Sequence, residues 1–491
     1  MTGWRAPAGG PQTAHFEAAL ARVGRALDAR EATELPDPQA VREAWSFLAD
    51  QPLPGQGSGL DEVVRRLGDV LVPHGARVSE PGFWMFVTTG PTTASVAAAA
   101  AAHVAGTQRS LLHAFNAVEE RSLHWLAELC GLPEGMRGLY SSGGSTANLV
   151  ALGAARQHAG EARGVDLAAD GSSGLDLVVY ASTETHHTVQ RAAGVLGIGR
   201  ANVRVLPVDR HQRLEPGVLA AAMDADLADG RVPMAVIANA GTTNTGAIDP
   251  IRALGQVAKA RDTWFHVDGA YGLPGCLDER VRPRYDGLDL ADSAIVDPHK
   301  WLGAPVGVAA TFVRDRTLLQ RAFTQGHAEY LEGAFTEAVE VSVDSMGIPY
   351  SDFGVELSAP SRGVQVWAVI VDEGRAGLAQ RISRDNDFAA YVARRGREHA
   401  RLESLTEPDL SIACIRYAAA PGDRLDALNA RIHRRLVRQT PYLPSTTIVN
   451  GAFAIRPCFI NPRTTWEMVE GFVDAVVRIG DEEVAITAVR P

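Results

Sequence analysis

The chain has 491 residues, 46% hydrophobic and 21% charged, which is ordinary for a globular protein with room for two or three domains. A formal net charge of −11 argues against nucleic acid or an anionic membrane as the main partner, although local charge at a site is free to oppose the global sign. The four cysteines, Cys130, Cys276, Cys414 and Cys458, are scattered, so neither a disulfide framework nor a metal site is expected.

The N-terminus is polar and rich in Pro and Gly, without a charged-then-apolar leader pattern. Ala97 to Ala102 is apolar, but His103 leaves the run too short to span a bilayer, so a cytoplasmic protein is expected. Residues 1–77 carry helical patterns at Phe16–Ala29, Ala40–Ala49 and Leu60–Val72, with a Pro/Gly linker between the last two. Their apolar surface is too small for a core of its own, which predicts an arm packed on something else. Across 78–376, short β-branched runs alternate with helical stretches: Leu177–Ser182, Val203–Pro207, Met234–Asn239, Trp264–Asp268, Ala294–Asp297 and Val308–Val313. That alternation predicts a large α/β domain with a mostly parallel sheet, whose ligands gather at the strand carboxyl ends. From 377 to 491, Leu410–Tyr417, a helix Asp423–Gln439, Thr446–Arg456 and a helix Thr465–Ile479 predict a small α+β domain.

Several turns in the large domain carry chemistry. Gly138 to Asn148, with Gly143, Gly144 and Ser145 at its centre, runs straight into a helical pattern. Glycines and hydroxyls opening a helix offer free N–H groups and the positive end of the dipole to a phosphate. No Gly-Lys-Ser/Thr follows, so a P-loop is excluded. Gly194, Gly197 and Gly199 end a helix instead of opening one, which disfavours a dinucleotide fold. His186 and His187 begin a helix after the strand Leu177–Ser182, and Thr242 follows a buried strand. Asp249 before Pro250 reads as a helix cap.

Asp268 stands at the end of an apolar strand and is followed by small residues. An unpaired aspartate there needs a cation or several donors. Lys300, between His299 and Trp301, ends another apolar run. Lost solvation there favours the neutral amine that attacks a carbonyl, while the plainer alternative is a loop lysine lying along Trp301. An amine, a carboxylate, an imidazole and a phosphate cradle, all at strand-to-helix turns, fit pyridoxal 5'-phosphate.

The run His266-Val267-Asp268-Gly269-Ala270-Tyr271-Gly272, followed about thirty residues later by Asp297-Pro298-His299-Lys300-Trp301, resembles the group II pyridoxal-phosphate-dependent amino-acid decarboxylases. This is the family of aromatic-amino-acid, glutamate and related decarboxylases, and the likeness runs from about Pro81 to Trp367. It implies a fold-type I, aspartate aminotransferase-like homodimer with composite active sites at the subunit interface, the N-terminal arm packing on the other subunit. It further implies that Lys300 holds the cofactor and Asp268 keeps its ring nitrogen protonated. Ala270 would pack on one ring face; His186 would stack on the other and meet the substrate carboxylate. Thr242 would lie near His186, and Asp297 and His299 near the phosphate. A carboxylate beside phosphate is unfavourable unless protons or donors intervene, so Asp297 is expected to bond backbone instead.

Tyr350 matches the family's catalytic-loop tyrosine, a phenol able to protonate Cα. Ala359-Pro360-Ser361 departs from a basic, aromatic family pattern and leaves only Arg362. A substrate pocket is implied at Trp84, Phe86 and Thr88, and across the dimer at residues 106–115, including Phe115. Arg109 and His113 offer an alternative reception for an acidic side chain. The expected reaction is decarboxylation of an aromatic or bulky apolar L-amino acid to the primary amine and CO2. A decarboxylating aldehyde synthase, a carbon–carbon lyase, a glutamate/aspartate-type decarboxylase and a catalytically silent scaffold dimer remain the alternatives.

Overall fold

The computed structural model describes residues 13–28, 38–48, 50–75, 77–105, 113–171, 174–324, 347–420 and 422–489. A short strand β1 (Phe83–Trp84) precedes the large domain's strands: β2 (Arg137–Ser141), β3 (Leu177–Ser182), β4 (Val203–Leu206), β5 (Val232–Asn239), β6 (Trp264–Asp268), β7 (Ser293–Val296) and β8 (Ala309–Val313). The last seven form one sheet in the order β2-β8-β7-β6-β5-β3-β4. From β7 to β4 all neighbours are parallel, and β8 runs against both of its neighbours. Every residue of β3, β6, β7 and β8 is buried, as expected of a sheet covered on both faces.

Strand β2 was not legible in the sequence, where its residues read as the start of the glycine-rich turn. Gly138 explains both facts. A Cβ there would sit 2.8 Å from the Thr311 carbonyl oxygen and the Phe312 ring of β8, so close strand approach requires glycine.

The smaller sheet contains β9 (Leu402–Ser404), β10 (Ile415–Tyr417), β11 (Leu443–Val449) and β12 (Ala452–Arg456), in the order β1-β11-β12-β10-β9. Thr446–Arg456, one run in the sequence, is a hairpin that turns at Asn450-Gly451 with φ of 49° and 82°. Asn-Gly supplies the two positive φ values that a tight turn between twisted strands needs. The helices Leu425–Gln439 and Trp466–Val489 complete this layer. The two sheets are joined by the helix Gly363–Glu398, which breaks at Gly374 (φ 63°), so the 376/377 division falls inside it.

Strand β1 leaves the large domain to pair with β11. Trp84, expected in the substrate pocket, is thereby a core residue of the small domain. It is fully buried, its Nε1–H donates to Thr464 Oγ1 at 3.0 Å, and it stacks on Tyr442 with Phe459 and Phe472 edge-on. An apolar aromatic reads alike in a pocket and in a core, and only the pairing partner of its strand separates the two. Trp84→Ala should cost about 3–5 kcal/mol in denaturant unfolding. A loss below about 1 kcal/mol would contradict this placement.

The N-terminal helices Thr13–Asp28, Pro38–Ser46 and Leu60–Arg66, with the residues that follow the last two, leave Trp45, Phe47, Leu60, Val63, Leu67 and Leu71 exposed. Among the described residues no helix is long and apolar enough to cross a membrane.

Candidate active site

A cavity of about 370 Å³ opens at the carboxyl ends of β2, β5, β6 and β7. It gathers Gly143, Gly144, Ser145, His186, Thr242, Asp268, Ala270, Asp297, His299 and Lys300. Phe86, Thr88, Phe115, Trp84 and Tyr350 do not line it. Phe86 is 65% exposed, and Phe115 is half-buried on the helix His113–Leu129. Arg109 and the His113 side chain lie outside the described residues.

Lys300 is placed by the turn after β7, where its N–H donates to the Asp297 carbonyl at 2.9 Å. That turn also brings the side chains together, with Lys300 Nζ 3.1 Å from Asp297 Oδ2. Among the described residues the Asp297 carboxylate makes none of the expected backbone bonds. The carboxylate faces the lysine instead, and among the described residues its buried Oδ1 has no hydrogen-bond partner. His299 Nδ1–H donates to the Val308 carbonyl, and burial pushes the ring below the ordinary histidine pKa against the pull of Asp297. Gly144 is obligatory, because a Cβ there would lie 2.7 Å from Asp297 Oδ2. Gly143, at φ 151°, precedes the first turn of the helix Gly144–Glu161, whose free N–H groups face the cavity end.

Asp268 is 6% exposed and meets only neutral donors: Ala270 N–H on Oδ1 at 3.2 Å and Asn148 Nδ2–H on Oδ2 at 3.1 Å. Among the described residues no Lys or Arg pairs with it. A buried carboxylate at one side of a cavity and a helix N-terminus at another call for a group cationic at one end and anionic at the other. Pyridoxal 5'-phosphate, with a ring nitrogen, a phosphate and an aldehyde for Lys300, fits that donor set. In the same cavity His186 is held at its Nδ1 by Thr188 Oγ1 at 2.9 Å, with the His187 ring 4.3 Å away. Burial lowers the pKa of His186, Lys300 and His187 add to the shift, and Asp268 opposes it.

Sequence reasoning missed Asn148, Thr188, Asn239 and Val306, which also line the cavity, and His266 and Ser293 behind it. Two signals were available. Asn148 is four residues from Gly144 and so shares its helical face, and His266 is two from Asp268 and so shares its strand face. His266 is fully buried, and burial pushes its pKa down to about 4 against the pull of Asp268. Its contribution to stability is complete above the unfolded value near 6.5 and is lost as pH falls to about 4, roughly 3 kcal/mol in all. The folding free energy of His266→Gln should therefore fall less steeply with acid across that window. An unchanged slope would show that the histidine is not held neutral.

Two sequence expectations are corrected here. Asp249 does not cap a helix: Pro250 occupies the position before Ile251–Lys259. The carboxylate turns inward, accepting Leu214 N–H at 2.8 Å, Asn239 N–H at 2.7 Å and Asn239 Nδ2–H at 2.9 Å. Burial pushes its pKa up to about 6 despite those bonds. Through Asn239, which also donates to Thr185 Oγ1 at 3.1 Å, it braces the turn that carries His186. Tyr350 is 2% exposed, with its hydroxyl donating to Glu120 Oε2 at 2.5 Å and Arg316 over its ring. The turn Tyr350–Phe353 packs on the helix Arg316–Phe323, which holds the phenol in the protein core.

Fold and site together define a fold-type I enzyme that uses pyridoxal phosphate. The chain belongs to the pyridoxal-dependent decarboxylase family, whose conserved domain matches residues 40–418. It is an amino-acid carboxy-lyase. It is 34% identical to an aromatic-L-amino-acid decarboxylase from Bacillus atrophaeus over 71% of this chain and 70% of that one. It is 30% identical to an L-2,4-diaminobutyrate decarboxylase from Rhizobium meliloti (strain 1021), over 87% and 83% respectively. Among solved structures, Oryza sativa TDC with PLP and tryptamine superimposes with a TM-score of 0.85 at 27% identity, covering 96% of this chain and 97% of that one.

Proposed function

We propose that the protein decarboxylates an aromatic or bulky apolar L-amino acid, releasing CO2 and the primary amine. The observation that carries the substrate class is the charge inventory of the cavity. Among the described residues its carboxylates and cationic side chains are Asp268, Asp297 and Lys300, and each has a task. Asp297 faces Lys300, while Lys300 would anchor the cofactor and Asp268 would serve its ring. Among the described residues none is left for a charged substrate side chain. The likeness to the Bacillus atrophaeus aromatic-amino-acid enzyme points the same way.

Bound at this site, pyridoxal phosphate supplies the sink for the electron pair left when the carboxylate departs. The chain's own part is placement and proton control. Gly143, Gly144 and Ser145 would hold the phosphate at the helix N-terminus, and Asp268 would keep a proton on the ring nitrogen. His186, with Nδ1 occupied by Thr188, keeps Nε2 for the substrate carboxylate. By orienting that carboxylate, His186 would favour its bond to Cα as the one cleaved. Scoring CO2 release across the twenty amino acids tests the reading, and a strong preference for glutamate, aspartate or a basic amino acid would overturn it.

Tyr350, whose hydroxyl is engaged by Glu120, does not line its own chain's cavity and is given no part in choosing amine over aldehyde. Tyr350→Phe should leave the product an amine and lower stability by about 1 kcal/mol. The other tyrosine between Lys300 and Arg362 is Tyr330, outside the described residues, and Tyr330→Phe is the informative partner variant. Aldehyde, ammonia and peroxide from the unmodified enzyme would place it with the aldehyde synthases.

The active unit in this reading is a homodimer with shared sites. The exposed apolar side chains of the N-terminal helices support it, as does Phe115, which lies outside its own chain's cavity. Mixing Lys300→Ala with Phe115→Asp subunits should restore activity at one of the two sites. Mixed dimers without activity would refute shared sites.

A further inference from the structure

We propose that Asn148 is the positioning residue of this site: it ties Asp268 to His186 and fixes which nitrogen of His186, and of the hidden His266, carries the proton. The argument is one of hydrogen-bond direction. Asn148 is 2% exposed, so its donors and acceptor must be met within the protein. Its Nδ2 lies 3.1 Å from Asp268 Oδ2 and 3.3 Å from Thr188 Oγ1. Its Oδ1 lies 3.1 Å from His266 Nε2. The reverse orientation of the amide would press its oxygen against the Asp268 carboxylate, so chemistry decides the assignment.

Two chains of donation follow. Asn148 gives one N–H to Asp268 and the other to Thr188 Oγ1. Thr188 is then free to donate its own hydroxyl proton to His186 Nδ1, 2.9 Å away. The Thr188 backbone N–H, at 3.4 Å, points at the same nitrogen. Both contacts make Nδ1 an acceptor and leave the His186 proton on Nε2. On the other side, His266 Nε2–H donates to Asn148 Oδ1. A neutral His266 must then accept at Nδ1, from Ser293 Oγ at 2.8 Å, and Ser293 accepts in turn from Trp264 Nε1–H at 2.8 Å. Indole only donates and a carboxylate only accepts, so both ends are fixed and no link between them is frustrated.

The charged and titratable groups around His186 are Asp268 from β6, Asp297 and Lys300 from the turn after β7, and His187 beside it. Asp268 is the group that faces His266. Asn148 stands between Asp268 and both imidazoles. A change at Asp268 is therefore transmitted to His186 through one amide and one hydroxyl. The inference rests on the family's cofactor and not on the choice of substrate.

The test uses the full-length holoenzyme of Asn148→Leu and Thr188→Val, with two readouts: absorbance of the bound cofactor against pH without substrate, and kcat/KM against pH. Asn148→Leu should move both titrations by about one pH unit and lower kcat/KM about tenfold. Thr188→Val should move only the kcat/KM profile, because it cuts the His186 arm and leaves Asp268 its amide. Unmoved titrations in a folded Asn148→Leu overturn the proposal, as does a loss of activity with both profiles in place, which a merely structural residue would give. If Asn148→Leu does not fold, Thr188→Val decides: a wild-type kcat/KM profile overturns the proposal, and a shifted profile over an unshifted absorbance titration upholds it.

Discussion

Lys300→Ala should lower decarboxylation by roughly 10⁴-fold and abolish borohydride fixation of cofactor to the peptide around residue 300. The amine is only 18% exposed, lies at the end of β7, and is held 3.1 Å from Asp297 Oδ2. It is the single amine that lines the cavity among the described residues, so no neighbour can take over the covalent link. Alanine leaves the other anchors intact. The helix N-terminus at Gly144 and the carboxylate of Asp268 remain, so the variant should still bind cofactor, reversibly and with altered absorbance. Loss of the lysine also strands Asp297, whose Oδ1 already lacks a partner among the described residues, and some loss of thermal stability should accompany the loss of activity. Retention of more than about 1% of the wild-type rate would remove Lys300 from its role.

The second large effect is expected at Asp268. Asp268→Asn should lower kcat roughly 10²–10³-fold while changing KM little, since in the proposed role the carboxylate acts on charge developed during reaction and not on substrate binding. Asparagine keeps the size and loses the charge. It also upsets the local donor pattern, because Ala270 N–H and Asn148 Nδ2–H approach the two carboxylate oxygens separately. An amide offers one oxygen, so one of these donors would face an N–H₂ group. A drop of less than about tenfold would mean that ring protonation does not depend on this residue.

How much of this was legible beforehand depends on the range of the interactions. The parallel strands β3 to β7 were readable because apolar, β-branched runs bounded by turns betray a covered sheet. Asp268, Lys300, His186 and the Gly143–Ser145 cradle were readable because each sits at a strand end or helix start, where local pattern places it. Strand β2 was hidden because its glycine answers to contacts with β8, more than 170 residues away in the chain.

The sequence by itself determined the cofactor chemistry, since the spacing of His266 to Gly272 and Asp297 to Trp301 ties residue type to position along neighbouring strands. Only the tertiary structure decided which polar side chains meet. Trp84 went to the small-domain core because β1 pairs with β11, and Tyr350 went to Glu120 because its turn packs on helices distant in sequence. Asp249 turned inward to Asn239 and Leu214, where a local reading puts a helix cap. The network centred on Asn148 joins residues from two helices, two strands and a turn. A hydrogen bond is satisfied by whichever partner the fold brings within about 3 Å, and chain order says nothing of that distance.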